Sequence, residues 1–359
     1  MTFGDFRPIL APSVYWGPMS KDEFLSVGGQ AIVEGVMMRS PKYFAVACRA
    51  PNKELIVQAE PLEKTWIGRQ KWLKLPFLRG SWALLDAMAL GTRAMKFASN
   101  VQLAPEYQPV DEAAVAKVEK ELHVETVTPE QVVETEVKDH KKIQEGLVIT
   151  TMIISLAFAL VIFKAVPQLL GTYLEKNKGF SDRQTNFSIE GIKAFFFIGY
   201  LLAIGQLEGV KQVFRYHGAE HKAINVWEAE LPLTMENCKA QTRLHPRCGT
   251  SFAIIVIILG FIVFPFVPRI NKGGGFLLEA VSNLGLHIAI LPLIAGVAYE
   301  LLRFAGKYRH NKAIMSLFLP GLWTQYITTK EPRDDQIEVA LESLKACLAG
   351  EETLKEVKA

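Results

Sequence analysis

At 359 residues the chain would make two or three soluble domains, but half of it is hydrophobic and that half is unevenly spread. Forty Lys plus Arg against 37 Asp plus Glu leave a formal net charge of +3, which excludes a strongly basic nucleic-acid binder, and 21 Phe, 9 Tyr and 6 Trp exclude a wholly disordered chain. Cys48, Cys238, Cys248 and Cys347 lie too far apart to form a disulfide framework, so a reducing compartment is expected.

The first thirty residues hold Pro8, Pro12, Pro18, Asp5, Asp22 and Glu23 and no apolar run, so no cleavable signal peptide is expected and the amino terminus is placed in the cytosol. Residues 1–65 read as a small cytoplasmic β-rich head. Its β-prone runs are 31–38, 43–49 and 54–60, separated by Ser40-Pro41 and Pro51-Asn52-Lys53. Gly28-Gly29 before them is a turn signal, and no nucleotide loop follows it. In residues 66–100 a helical pattern over 77–98 repeats Arg79, Asp86 and Arg93 every seven positions, lining one stripe between apolar faces. Three charges are costly within a span, so an amphipathic interfacial or re-entrant helix is expected there, with a fifth span as the alternative. Residues 101–145, acidic from Glu106 to Glu145 and poor in aromatics, read as a mobile or weakly helical cytoplasmic linker.

Residues 146–310 hold the membrane core. Four runs are apolar and long enough to cross a hydrocarbon layer of ~30 Å: 146–170, 194–213, 252–267 (or from 249), and 274–304, the last carrying Glu279, His287 and Glu300. Lys and Arg concentrate before the first span, in the loop 211–250 and after the fourth, so these segments and both termini are expected inside. In residues 311–359, Ile337, Leu341, Leu344 and Leu348 fall at helical spacing and predict a docked amphipathic helix over 334–348. The expected fold is an α-helical polytopic membrane protein with about four transmembrane helices, a small cytoplasmic α/β head at the amino end and an interfacial helix.

Chemistry concentrates in the loop 211–250. His217-Gly218-Ala219-Glu220-His221 spells His-x-x-Glu-His, and helix residues four apart lie about 40° apart around the axis, so both imidazoles can reach one cation. Glu220 is near enough to act on a bound water without being a ligand, as in one class of zinc peptidase. Histidines where a helix leaves the membrane otherwise serve as solvated polar groups. The same loop supplies His245-Pro246-Arg247-Cys248, a second pair of donors that suits Zn²⁺. Four donors would close a structural site, whereas three would leave a position for water. Topology brings the inner end of the fourth span to the same mouth. Glu300 is thus a further candidate ligand, with an ion pair to Arg303 or Arg247 as its alternative role. Glu208 can pair with Lys211 or Arg215, and His287 can hydrogen-bond across helices.

Val27-Gly28-Gly29-Gln30-Ala31-Ile32-Val33-Glu34-Gly35-Val36-Met37-Met38-Arg39-Ser40-Pro41, Tyr216-His217-Gly218-Ala219-Glu220-His221-Lys222 and Leu244-His245-Pro246-Arg247-Cys248-Gly249-Thr250-Ser251-Phe252 resemble the YqhQ-like family of bacterial integral membrane proteins. The match extends over about 27–344, including Pro320-Gly321-Leu322-Trp323 and Glu338-Val339-Ala340. The resemblance implies the bacterial plasma membrane and metal at the positions above, and implies no substrate.

The expected function is a metal-dependent, zinc-dependent hydrolase at the cytoplasmic mouth of the bundle. His217 and His221 hold the metal, His245, Cys248 or Glu300 complete its shell, and Glu220 acts as general base; another divalent metal is an alternative. The partners expected are the lipid bilayer and a peptide or lipid-linked substrate, and no nucleic acid. A non-catalytic membrane scaffold or assembly factor with a structural His/Cys metal site is the competing reading. A transporter relaying protons or ions through Glu208, His287 and Glu300 is a third.

Overall fold

The computed structural model describes residues 27–62, 75–108, 150–151, 153–270, 273, 275–308 and 311–356. The acidic linker expected over 106–145 lies outside these beyond residue 108.

A four-stranded antiparallel meander, β1 (Gly28–Ile32), β2 (Gly35–Arg39), β3 (Tyr43–Arg49) and β4 (Leu55–Pro61), runs in the order β1-β2-β3-β4. The run expected as one strand over 31–38 is two, because the chain reverses at Val33-Glu34, where Glu34 takes the left-handed φ of 48° and Ile32 pairs with Gly35. Gly28 and Gly29, read as a turn, are part of β1. Alternation along β2 and β3 sends side chains to two different helical layers. Met37, Phe44, Val46 and Cys48 pack under Leu90, Ala94 and Ala98 of α1 (Leu78–Leu103). Val36, Met38, Ala45 and Ala47 pack against Tyr216, Ala219 and Ala223 of one later helix and Ile337, Ala340 and Leu344 of another. The head is thus three layers, and the sheet is completed by chain that follows it by more than 150 positions.

The three charges of the α1 stripe each find a partner on a different element: Arg79 meets Glu300 and Asp86 meets Arg39, both at 2.5 Å, and Arg93 meets Glu60 at 2.6 Å. The seven-residue repeat therefore marks a docking edge.

Four helices are long and apolar enough to cross a membrane: α2 (Ile153–Lys178), α3 (Asp182–Ile204), the helix Gly249–Phe266 and the helix Phe276–Lys307. The second begins twelve residues before the expected start, because Ser181 and Gln184 form a capping box and the polar residues that follow are buried inside the bundle, Glu190 pairing with Lys193 at 2.5 Å. It also ends earlier. The chain breaks after Ile204 and restarts as α4 (Glu208–Glu228), a helix of the head. After α5 (Met235–Ala240) come α6 (Gly249–Val263, prolonged by a 3₁₀ turn to Phe266) and α7 (Phe276–Lys307). Short helices α8 (Lys312–Ser316) and α9 (Leu319–Thr328) lead to α10 (Asp334–Glu356), which lies on the sheet beside α4. The end of α3, the start of α6 and the end of α7 define one end of the bundle, the head end. The α2–α3 turn and the α6–α7 connection define the far end.

Candidate metal centre

α4 carries the His-x-x-Glu-His string along its buried side, with Glu220 and His221 5% and 1% exposed. Gly218 is required there, since a Cβ would collide with the carbonyl of Lys330, where the chain leaving α9 crosses α4. This crossing supplies the first anchor of the site: Nδ1 of His217 donates to the Thr328 carbonyl at 2.9 Å. The loop after α5 supplies the second, with Nδ1 of His221 donating to the Arg243 carbonyl at 2.6 Å. With both Nδ1 atoms committed to carbonyls, Nε2 is the nitrogen each ring has left to offer a metal, once any proton it carries is lost.

The loop itself is held from two sides. Asn225 on α4 donates to the carbonyls of Thr242 and Leu244 at 2.8 and 3.1 Å. Gln325 on α9 accepts from the His245 amide at 2.8 Å and donates to its carbonyl at 2.7 Å. Cys248 then caps α6, its sulfur accepting from the Thr250 amide at 3.4 Å. His217 Nε2 lies 3.2 Å from Cys248 Sγ, and the ligand atoms of His217, His221 and Cys248 all fall within 4.8 Å of one another. Tetrahedral zinc bonds of ~2.0–2.1 Å to nitrogen and ~2.3 Å to sulfur separate N and S by about 3.6 Å, a few tenths of an ångström more than the His217–Cys248 spacing, and the trio is compact enough to draw in around one ion.

Electrostatics agree with that geometry. Burial alone would raise the Cys248 thiol, but the adjacent charges of His217 and His221 outweigh it and hold the thiol well below its ordinary value. Burial likewise disfavours a charged His217, yet the sulfur of Cys248 and the carboxylate of Glu220 push it up to about 9. The other three thiols show burial without such partners: Cys48 and Cys347 are pushed up to about 11 and Cys238 to about 12. Glu220, with Oε2 4.0 Å from His217 Nε2, is raised by burial against the pull of His221 and His217.

The remaining candidates stand apart from this trio. The His245 ring is 5.7 Å from that of His221, and its Nε2 is 3.4 Å from Glu228, which also pairs with Arg247. Glu300 is not at the cluster. Both its oxygens are taken by Arg79, at 2.6 and 2.5 Å, because the start of α1 packs onto α7, a contact between residues 221 positions apart. The expected ion pair with Arg303 or Arg247 is replaced by this one, Arg303 adding only the pull of its charge. Glu208, His287 and Glu300, the expected relay, have separate surroundings: Glu208 is exposed and pairs with Lys211, while His287 stacks on Phe264 with centroids 4.1 Å apart. Gly29, by contrast, belongs to the site. A Cβ there would meet the Glu220 side chain at 2.7–2.9 Å, so β1 forms a wall behind the carboxylate. The Gly28-Gly29 pair was the only sequence signal for that wall, and it is equally the signal of a turn.

Four helices long and apolar enough to cross a membrane, with a nitrogen- and sulfur-donor cluster under a small sheet, make this a candidate membrane protein with a candidate metal centre. The chain belongs to the family described as a protein of unknown function (DUF1385), which matches residues 75–350. It is similar to a Bacillus subtilis (strain 168) protein described as uncharacterized protein YqhQ, with 32% identity over 326 residues, covering 89% of this chain and 92% of the relative. No solved structure matches it.

Proposed function

We propose that the protein is a zinc-dependent hydrolase of the bacterial plasma membrane, with its head and both termini in the cytosol. The observation that carries this reading is the tethering of both Nδ1 atoms to the Thr328 and Arg243 carbonyls, which aims two imidazole Nε2 atoms and one thiolate at a common point. Three protein ligands leave a fourth position open. A zinc ion held there supplies Lewis acidity and lowers the pKa of water to about 7. Glu220, buried and raised above the ordinary carboxyl range, would be the residue beside the cluster that takes up a proton and returns it. The wall made by Gly29 fixes the carboxylate on one side of His217. A peptide or lipid-linked molecule is the substrate class that suits a site at the membrane surface, and the orientation follows from the Lys and Arg of the loop 211–250.

A second reading, a structural site in a membrane scaffold, draws on the burial of His221 and Cys248 and on the way the trio ties α4 to the start of α6. Metal content of the detergent-purified full chain, measured for wild type, His217→Ala, Cys248→Ala and Glu220→Gln, tests both. The hydrolase reading expects one zinc per chain, its loss in the first two variants, and its retention in Glu220→Gln with hydrolysis abolished. Zinc retained in His217→Ala would exclude this site. Hydrolysis unchanged in Glu220→Gln would leave only the structural role.

A further inference from the structure

Beside the head end of the bundle, α1 and α7 cross so closely that a Cβ on Gly296 would strike the Phe77 carbonyl, and one on Gly80 would meet Tyr299 at 2.6 Å. α1 begins at this crossing, and α7 continues past it along an open groove of about 610 Å³. Its walls follow the last three turns of α7, from Val297 to Lys307, a rise of about 15 Å. Phe77, Val297 and Leu301 form the lower wall beside the Arg79–Glu300 ion pair, Phe304 continues the apolar surface up between the levels of the two cations, and Phe77, Leu301 and Phe304 are 50%, 37% and 46% exposed. The upper part presents Arg303 and Lys307, one helical turn apart.

Charge along the groove is unbalanced. Its lining holds three cations and one carboxylate, and that carboxylate, Glu300, is already held at both oxygens by Arg79. Among the described residues no carboxylate lies within ion-pair distance of Arg303 or Lys307, and the one carboxylate near Arg303, Glu300, is committed to Arg79, which leaves an excess of two positive charges at the end of α7 beside the apolar surface of Phe77, Leu301 and Phe304. A diacyl phosphodiester has the matching order of chemistry along its length: an anionic phosphate at the water boundary and acyl chain beneath. Water-soluble phosphates lack the second half and would leave the exposed aromatic wall uncovered.

We infer that this groove is a binding site for an anionic glycerophospholipid, its phosphate between Arg303 and Lys307 and one acyl chain along Phe77, Leu301 and Phe304. The site stands without the metal reading, although the two adjoin: Gly306 packs beneath the side chain of Arg247, the residue before Cys248. A lipid seated there would also brace α1 against α7 at the crossing that positions the head.

The test uses the full chain in zwitterionic detergent, titrated with phosphatidylglycerol or phosphatidylcholine of identical acyl chains and read by native mass spectrometry. Wild type should prefer phosphatidylglycerol by about 30-fold, the combined effect of two cations near an anionic group. Arg303→Gln with Lys307→Gln should reduce that preference to about threefold or less. Leu301→Trp, which fills the apolar wall and keeps both cations, should weaken both lipids while leaving the thermal midpoint of the protein unchanged, so the groove is tested even if the double variant folds poorly. A double variant with undiminished preference would overturn the assignment. So would displacement of the lipid by glycerol 1-phosphate at concentrations near the lipid's own, since that would make the site one for soluble phosphate.

Discussion

At the far end of the bundle Arg269 is buried between Glu175 at 2.5 Å and Glu279 at 3.8 Å, its Nη2 also donating to Thr172 and its Nη1 to Asn186, with Lys176 3.2 Å from Glu279. At the head end, His217, His221 and Cys248 bring three electron-pair donors together, and their hydrogen-bond donors are spent on carbonyls behind them. Both groups are buried and polar, but in the first two cations face two carboxylates and the charges balance. The second gathers electron-pair donors closely enough to hold a cation. Buried charge by itself therefore does not mark a functional site; the informative property is whether the groups satisfy one another.

The largest effect expected from breaking this contrast is at the far end. Arg269→Met leaves Glu175 and Glu279 buried without their cation and should cost ~3–5 kcal/mol. Thermal unfolding in detergent reads the loss, and the zinc content of the folded fraction should stay at the wild-type value. Coupled loss of zinc would mean that the two ends are one cooperative unit. At the head end, Asn225→Ala releases the loop that holds the Arg243 carbonyl against His221 without touching a ligand, and should weaken zinc about 10–100-fold in competition with a chelator. An unchanged affinity would show that the loop needs no such tie.

The thiols sharpen the comparison further. In protein stripped of metal, Cys248 keeps its thiolate as pH falls, because its value is held below the ordinary one. The thiols of Cys48, Cys238 and Cys347, raised to about 11–12, stay protonated throughout. Alkylation by iodoacetamide should thus be confined to Cys248 and change little between pH 8 and 6.5, whereas an ordinary thiol slows about tenfold per unit below its pKa near 8.5. His217→Ala should restore that tenfold dependence, and added zinc should block the reaction in wild type. Peptide mapping of the alkylated protein distinguishes the four sites.

The same contrast explains what was legible in the sequence. Hydropathy finds a span where polar residues are absent, so α6 and α7 match their expected positions within about three residues, while the start of α3 is hidden by Glu190 and Lys193, which neutralise each other across one helical turn. Helical spacing brings His217 and His221 together because four residues return to the same face, and the centroids of their rings are 4.4 Å apart. Spacing within His245-Pro246-Arg247-Cys248 cannot tell which donor turns inward. That depends on Gln325 and Glu228, which hold His245 to one side. The partner of Glu300 was equally out of reach, since only the crossing of α1 and α7 brings Arg79 to it.

The smallest effect expected is at Gly29, where the wall behind Glu220 is tested separately from the ligands. A methyl group there would press on the Glu220 side chain at 2.7–2.9 Å, a spacing that real Cβ atoms do not adopt, so the carboxylate or the strand has to shift. The carboxylate is the freer of the two, because β1 is paired with β2 along its whole length, from Gly28 opposite Arg39 to Ile32 opposite Gly35. Gly29→Ala should therefore displace Glu220 rather than unfold the sheet, at an overpacking cost of ~1–3 kcal/mol at most. If Glu220 is the base, hydrolysis falls while the zinc content and the alkylation of Cys248 in stripped protein stay as in wild type. If the carboxylate serves only to balance the charge of the imidazoles, the same shift moves the pH dependence of that alkylation and leaves no other mark. Gly28→Ala is the matched control, since nothing lies within 4 Å of a Cβ at that position.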